Sequence, residues 1–160
     1  MILIAALALV LSPVHPWPIG AGARYHVPAT TAAVRAGTCQ SRPARFAAHV
    51  EVFANRRVVV LPQGIGVGPS CRYAASTDAP TGVIRLTRAV TLGELFRIWG
   101  QQLAANRLLS FRGTTLAFVD GRRWSGDPRR IRLTPHAQVV LEIGGYVAPH
   151  PSYLFPKGMP

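Results

Sequence analysis

The sequence predicts an α+β protein in which a mixed β-sheet packs on one main helix, with a β-grasp-like order of elements. Only the stretch 92–105 has the periodicity of an amphipathic helix, whereas the other patterned segments alternate between apolar and polar residues, as strands do. Strand segments lie both before and after this helix. The 160-residue chain has no internal repeat and no long linker, so we expect a single domain over residues 24–145.

The predicted helix begins at a capping box. Thr91 and Glu94 have the S/T-x-x-E spacing, in which each side chain can bond to a free backbone N–H of the first turn. Asn106 offers a place for the helix to end. Between these ends runs a single apolar stripe, made by Leu92, Leu95, Phe96, Trp99 and Leu103. We therefore expect this helix to cover the sheet and to fill the core.

The strands are predicted from alternation and from turn residues. A first hairpin spans Ala48–Leu61 and turns at residues 55–57, and a second spans Thr114–Trp124 around the strong turn dipeptide Asp120-Gly121. Three further segments alternate as strands: 83–87, 130–134 and 139–143. Beyond them, residues 146–160 are rich in proline and aromatic residues, and we expect this tail to lie extended across the domain.

The N-terminal 23 residues are predicted to be a signal peptide or the remnant of an export signal. An apolar run over residues 2–11 has the length of a signal-peptide core and is too short to span a membrane. Ala21-Gly22-Ala23 then provides an A-x-A cleavage site, although the usual basic start is missing. The alternative is a buried N-terminal strand or helix. We accordingly expect an extracytoplasmic protein, secreted or associated with the cell envelope.

The two cysteines fit an exported chain. Cys39 and Cys71 are an even count, which in an oxidising compartment predicts one disulfide. Closing a loop of about thirty residues would stabilise the fold by roughly 3–4 kcal/mol on the chain-entropy model. In a cytosolic protein the same two residues would be buried thiols instead.

The chain is strongly basic, with a formal net charge of +12. All its basic residues except Lys157 are arginines, and they are dispersed rather than gathered in one run. One reading is a surface that binds an anionic polymer or lipid, with nucleic acid the less favoured ligand; the other is a set of solvated loop residues. The candidates for anion binding are Arg56, Arg57, Arg122, Arg123, Arg129 and Arg130.

Catalytic motifs are not apparent, so we expect a protein that is not an enzyme. The glycine-rich run 64–68 lacks the G-x-G-x-x-G pattern and is predicted to be a crowded turn. A metal site is the sharper alternative. His49 and Glu51 share one strand face at a spacing that can chelate, and Asp78 could supply a third ligand for zinc or copper. The competing interpretation is that these residues are only the polar face of a strand.

A resemblance covers most of the chain from His49 onward. The runs HVEVFANRR, LPQGIGVG, STD, TGVIRL and TLGELFRIWG, with a cysteine between the second and third, resemble an uncharacterised family of exported or membrane-anchored bacterial domains. Typical members carry H-x-H-L, then a cysteine, H-T-H-D and G-I-I-H-I, then T-L-G-x-F-F-x-x-W-G. The resemblance implies the scaffold and export, and its histidine positions look like a metal site.

Most of those histidines are replaced here. Ala47 stands at the first histidine of H-x-H, residues 75–77 replace H-T-H, and Arg85 replaces the histidine of the G-I-I-H strand. A cation at that point would repel a metal ion at close range. The resemblance therefore implies a degenerate member that keeps the scaffold and has lost the site. The function predicted first is an exported scaffold or interaction domain with a protein partner in the cell envelope.

Overall fold

The computed structural model describes residues 24–27 and 39–160. The expected signal segment, residues 1–23, lies outside the described residues. Within them the protein is mostly β-sheet with one short helix, α1 (Leu92–Trp99), and a 3-10 turn at Pro128–Arg130. The α+β prediction is confirmed at this level. The strands are β1 (Tyr25–His26), β2 (Phe46–Ala54), β3 (Arg57–Val60), β4 (Ala75–Ser76), β5 (Val83–Leu86), β6 (Val90–Thr91), β7 (Leu103–Ala104), β8 (Arg107–Leu108), β9 (Phe111–Arg112), β10 (Thr115–Val119), β11 (Arg122–Arg123), β12 (Arg132–Leu133) and β13 (Gln138–Ile143).

The main sheet is mixed, with the order β1-β3-β2-β13-β10-β11. β2 and β13 are parallel neighbours at its centre, while β3 and β10 pair antiparallel on either side of them. β5 pairs with the first half of β2 and in turn carries β4. Two smaller sheets, β6–β12 and β7–β8–β9, complete the described structure.

Both predicted hairpins are confirmed, because their turns are specified locally. Asn55 and Arg56 take φ values of 51° and 62°, and Asp120 and Gly121 take 49° and 75°. Two consecutive residues with positive φ form the tight connection that matches the twist of antiparallel strands. The first turn joins β2 to β3, and the second joins β10 to β11.

The helix prediction is corrected in length: α1 ends at Trp99 rather than at residue 105. Gly100 takes a left-handed conformation with φ of 73°, its N–H bonds to Arg97 O, and the next N–H, of Gln101, bonds to Phe96 O. These two bonds form a Schellman cap, which terminates a helix. Leu103 is still buried as predicted, but it lies in β7.

The predicted capping box forms in one direction only. The Thr91 hydroxyl accepts from the backbone N–H of Glu94 at 3.2 Å. The Glu94 carboxylate instead pairs with the Arg88 guanidinium. The helix start is thus capped by Thr91, while Glu94 anchors the preceding loop.

The core lies between α1 and one face of the main sheet. Val50, Val52 and Ala54 of β2 point into it and pack with the buried helix residues, among them Phe96 and Trp99. Trp99 and Phe96 are the largest fully buried side chains of the described chain. The opposite face of β2 carries His49, Glu51 and Phe53, and it is buried as well.

The predicted disulfide is confirmed. Cys39 and Cys71 are bonded, with their Cα atoms 5.6 Å apart. The bridge ties the segment before β2 to the loop that follows the glycine-rich turn, where Gln40 also pairs with Arg72. Within the part of the chain that the structure describes, no helix is long and apolar enough to cross a membrane.

Candidate functional site

The candidate site is the face of the main sheet that lies opposite α1. Strand register places His49 beside Gln138, Glu51 beside Val140, and Phe53 beside Glu142. Directly paired residues of neighbouring strands project from the same face, so these six side chains form one surface. Tail residues 146–160 contact this surface from outside. We call it the tail-covered face.

His49 lies on this face and has no solvent exposure. Its Nδ1 lies 2.7 Å from Gln138 Oε1, and its Nε2 lies 2.9 Å from Thr81 O. Burial lowers the pKa of His49 below 6.5, against smaller opposing effects of these hydrogen bonds and of Glu51. Both contacts are with oxygen atoms, whereas a neutral imidazole carries a single N–H. If the Gln138 amide is turned over, its otherwise unpartnered Nε2 donates to His49 Nδ1, while the His49 Nε2–H donates to Thr81 O.

The Tyr153 ring covers His49 from the tail. The two ring centroids are 3.7 Å apart and the planes differ by 12°, which is a stacked arrangement. Burial and the nearby Glu51 carboxylate raise the pKa of Tyr153 above 10.0, so its phenol stays neutral. Phe155 packs edge-on against Tyr153 with centroids 5.0 Å apart, and it also contacts His136. These aromatic contacts hold the far end of the tail on the sheet.

A second attachment point is the hydrogen bond between Glu51 and His150. His150 Nδ1 lies 2.8 Å from Glu51 Oε2, while His49 Nδ1 lies 3.8 Å from Glu51 Oε1. The Glu51 side chain is only 5% exposed, so this carboxylate depends on the tail for its shortest side-chain contact. Loss of His150 would remove a hydrogen-bond donor from a carboxylate that is largely buried, which is costly.

Glu142 is the anomaly of the tail-covered face. It is fully buried, and neither carboxylate oxygen has a hydrogen-bond partner of normal geometry. Burial raises its pKa above 4.5, and the nearby backbone of Val147 opposes this only in part. Its neighbours are the apolar side chains of a second core cluster, which includes Phe53, Phe118 and Val140. A buried carboxyl group with so little hydrogen bonding calls for a specific explanation.

The proposed metal ligands do not come together. Asp78 forms ion pairs with Arg72 and with Arg85, whose Nε lies 2.6 Å from Asp78 Oδ2. His49 and Glu51 are adjacent, but both ring nitrogens of His49 already have partners. Over residues 24–27 and 39–160, no group of three or more His, Cys, Asp or Glu side chains is placed to hold a metal ion.

The positions that the resemblance identifies as a lost site do share one side of the sheet. Ala47 pairs directly with Arg85, and His49 pairs with Val83 on the same two strands. Arg85 therefore projects from the face that carries His49, and its guanidinium holds Asp78. An arginine–carboxylate pair with a buried, hydrogen-bonded histidine nearby now stands where the resemblance implies metal ligands.

The candidate arginines divide between separate parts of the surface. Arg56 and Arg57 lie at the turn that follows β2, level with Ile143 at the end of β13. Arg122 and Arg123 lie beside the start of β13, because β10 runs antiparallel to it. These two pairs are thus at opposite ends of the central strands, too far apart to form a single anion site.

The third pair, Arg129 and Arg130, lies beside acidic side chains. The Arg129 guanidinium holds the Asp127 carboxylate, with a shortest contact of 2.7 Å, and these hydrogen bonds lower the pKa of Asp127. Arg129 and Arg130 line an open groove of 530 Å³ beside α1 together with Arg97, and the acidic residues Glu94 and Asp127 line the same groove. The two carboxylates offset two of the three guanidinium charges, so the groove gives little net attraction for an anion.

Sequence reasoning identified His49 and Glu51 but missed the residues that complete the site. Glu142 belongs to the predicted strand 139–143, where its polarity in an otherwise apolar segment was the available indication, and Gln138 is the residue by which the observed strand begins earlier. His150 and Tyr153 could not be found, because they reach the site from about a hundred residues away in sequence.

Comparison of the chain with protein-family models, with curated proteins and with solved structures finds no match.

Proposed function

We propose that this protein is an exported interaction domain without enzymatic activity, and that its contact surface is the tail-covered face together with the tail. One observation carries the proposal. A segment without helix or strand, residues 146–160, lies on a buried polar face and is attached by a ring stack and a histidine–carboxylate hydrogen bond. A face that holds one extended segment by side-chain contacts has the chemistry to hold another.

The proposal includes export of the protein from the cytoplasm and a β-grasp-like scaffold. The bond between Cys39 and Cys71 supports an oxidising compartment, since structural disulfides are rare in the cytosol. A β-grasp-like topology is supported by the sheet order, in which the hairpin before the helix supplies β3 and β2 and the chain after the helix supplies β13 and β10. The first and last of these strands in sequence, β2 and β13, are parallel neighbours at the centre. Membership of the resembled bacterial family, as a member that has lost its histidine site, is proposed on the sequence motifs.

The experiment is site-specific cross-linking in cell-envelope extracts. A photoreactive amino acid in place of Leu154, which is 76% exposed, would report on the tail without disturbing its anchors. We expect a discrete cross-linked protein whose yield rises when Tyr153→Ala loosens the tail. The absence of any cross-linked partner, with the tail anchored or loosened, would contradict the proposal.

Two other functions from the sequence are less well supported. Zinc or copper binding at His49, Glu51 and Asp78 would require Asp78 to leave two arginines. Calorimetry with each metal, on the wild type and on His49→Ala, tests it. Binding of an anionic polymer or lipid through the arginines predicts steeply salt-dependent affinity for anionic vesicles, and the separation of the three pairs argues for weak binding.

A further inference from the structure

The tail meets polar residues of the tail-covered face at every third position. Val147 packs on the second core cluster near Glu142, His150 pairs with Glu51, and Tyr153 stacks on His49. Three residues per turn is the period of a polyproline II helix. Pro149, Pro151 and Pro156 favour that conformation, because proline fixes its own φ and disfavours the α region for the residue before it.

The direction of the tail follows from these contacts. It passes from the end of β13, at Glu142, across Glu51 to His49, near the start of the paired segment. Three of the four polar residues of this face therefore each meet one position of the tail. Two of these contacts are chemically complementary, since His150 hydrogen-bonds to the Glu51 carboxylate and Tyr153 stacks on the His49 ring.

The third contact, between Val147 and Glu142, is not chemically complementary. The tail offers Glu142 only the backbone of Val147, whose aliphatic side chain packs on the second core cluster, and neither carboxylate oxygen has a hydrogen-bond partner of normal geometry. A lysine at that position could keep the apolar contact through its methylene stem and extend its ammonium group to the carboxylate. An ammonium group donates up to three hydrogen bonds and supplies the opposite charge.

We propose that the tail-covered face is a binding site for extended, proline-rich peptides that carry a basic residue at the Val147 position and an aromatic ring at the Tyr153 position. The protein's own tail occupies this site in cis and matches it incompletely. The inference rests on the proposed function and specifies its partner as a peptide segment with the pattern basic–x–x–His–x–x–aromatic. A partner with this pattern satisfies Glu142 as well as Glu51 and His49, so it displaces the tail.

The test compares two synthetic peptides in trans. Both have the sequence of residues 146–160, and one carries Val147→Lys. The receptor is the full chain with Tyr153→Ala, which keeps its tail but holds it less firmly. Competition from that tail lowers the apparent affinity of both peptides by the same factor, so their ratio reports only on the substituted position. We expect the lysine peptide to bind at least about tenfold more tightly, as a hydrogen-bonded charge pair provides.

A double-mutant cycle assigns the gain to Glu142. In a receptor that also carries Glu142→Gln, the advantage of the lysine peptide should fall to about twofold or less. A peptide with Tyr153→Ala should lose at least about tenfold in either receptor, because it lacks the ring that stacks on His49. Equal or weaker binding by the lysine peptide, a gain that survives Glu142→Gln, or no binding by any peptide would overturn the inference.

The same substitution in cis gives an independent readout. Val147→Lys in the full chain should raise the urea midpoint, and Glu142→Gln should abolish that increase. If the peptides fail to bind while envelope proteins still cross-link at position 154, the interaction function stands and this ligand class is wrong. If the peptides bind but no envelope protein cross-links, the site stands and the proposed cellular role is wrong.

Discussion

Replacing Glu142 with glutamine should stabilise the protein at neutral and alkaline pH. Glu142 is fully buried, its oxygens have no normal hydrogen-bond partners, and burial raises its pKa above 4.5. The folded state therefore retains a proton at pH values where the unfolded chain has released it. The stabilising contribution of this group is complete below its ordinary pKa and is lost as the pH rises through the raised pKa.

The size of the effect follows from proton linkage. For each pH unit over which the folded state alone holds the proton, the wild type loses about 1.4 kcal/mol of unfolding free energy. Glu142→Gln has no proton to lose, so its stability advantage grows over the same interval and then levels off. Urea unfolding of both proteins at half-unit steps from pH 4 to pH 9 measures the difference.

The control is Glu94→Gln, which removes a half-buried carboxylate that is paired with Arg88 at the surface. That variant should change stability by less than about 1 kcal/mol and should lose rather than gain. The reasoning would be refuted if the advantage of Glu142→Gln did not depend on pH, or if it were largest at pH 4.

Three further predictions concern the tail, the buried histidine and the disulfide. Tyr153→Ala should speed proteolysis of the tail about tenfold, because it removes a ring stack worth about 0.5–1.5 kcal/mol and the apolar contact of the ring. Leu154→Ala, at an exposed neighbouring position, should leave the rate unchanged. Equal rates for the two variants would exclude the stack as an anchor. The unfolding free energy should fall as the pH drops below 6.5, because His49 has a lowered pKa in the folded state and the unfolded chain takes up the proton first. Urea titrations of His49→Gln should lack this pH dependence. An unchanged dependence in that variant would show that another group causes it. Joint replacement of Cys39 and Cys71 by serine should lower the unfolding free energy by about 3–4 kcal/mol in calorimetry, and no loss would show that the bridge constrains little.

The elements that the sequence predicts well are those specified by adjacent residues. Asp120-Gly121 and the 55–57 segment adopt positive φ values at little cost, and the strands on either side alternate clearly, so both hairpins were predictable. The cap at Thr91 was equally local. The length of α1 was misjudged because the apolar stripe continues through Leu103, whereas Gly100 takes a left-handed conformation that ends the helix first.

The candidate site shows the opposite limit. Alternation correctly placed His49 and Glu51 on one face of a strand, but an alternating pattern suggests a solvated polar face, and this face is buried. Its cover comes from the tail, and the contact of Glu51 with His150 joins residues 99 apart in the chain. Such long-range pairings depend on the tertiary fold. The small strands over residues 103–112 escaped prediction because each has only two residues, too few for any period to appear.

The most direct test of the central claim is a nuclear Overhauser measurement between the rings of His49 and Tyr153 in the intact chain at neutral pH. Ring centroids 3.7 Å apart predict strong cross-peaks between their protons, together with slowed hydrogen exchange at the histidine ring nitrogen that bonds to Thr81. The absence of these cross-peaks, with tail amides exchanging as fast as those of a free peptide, would contradict the account.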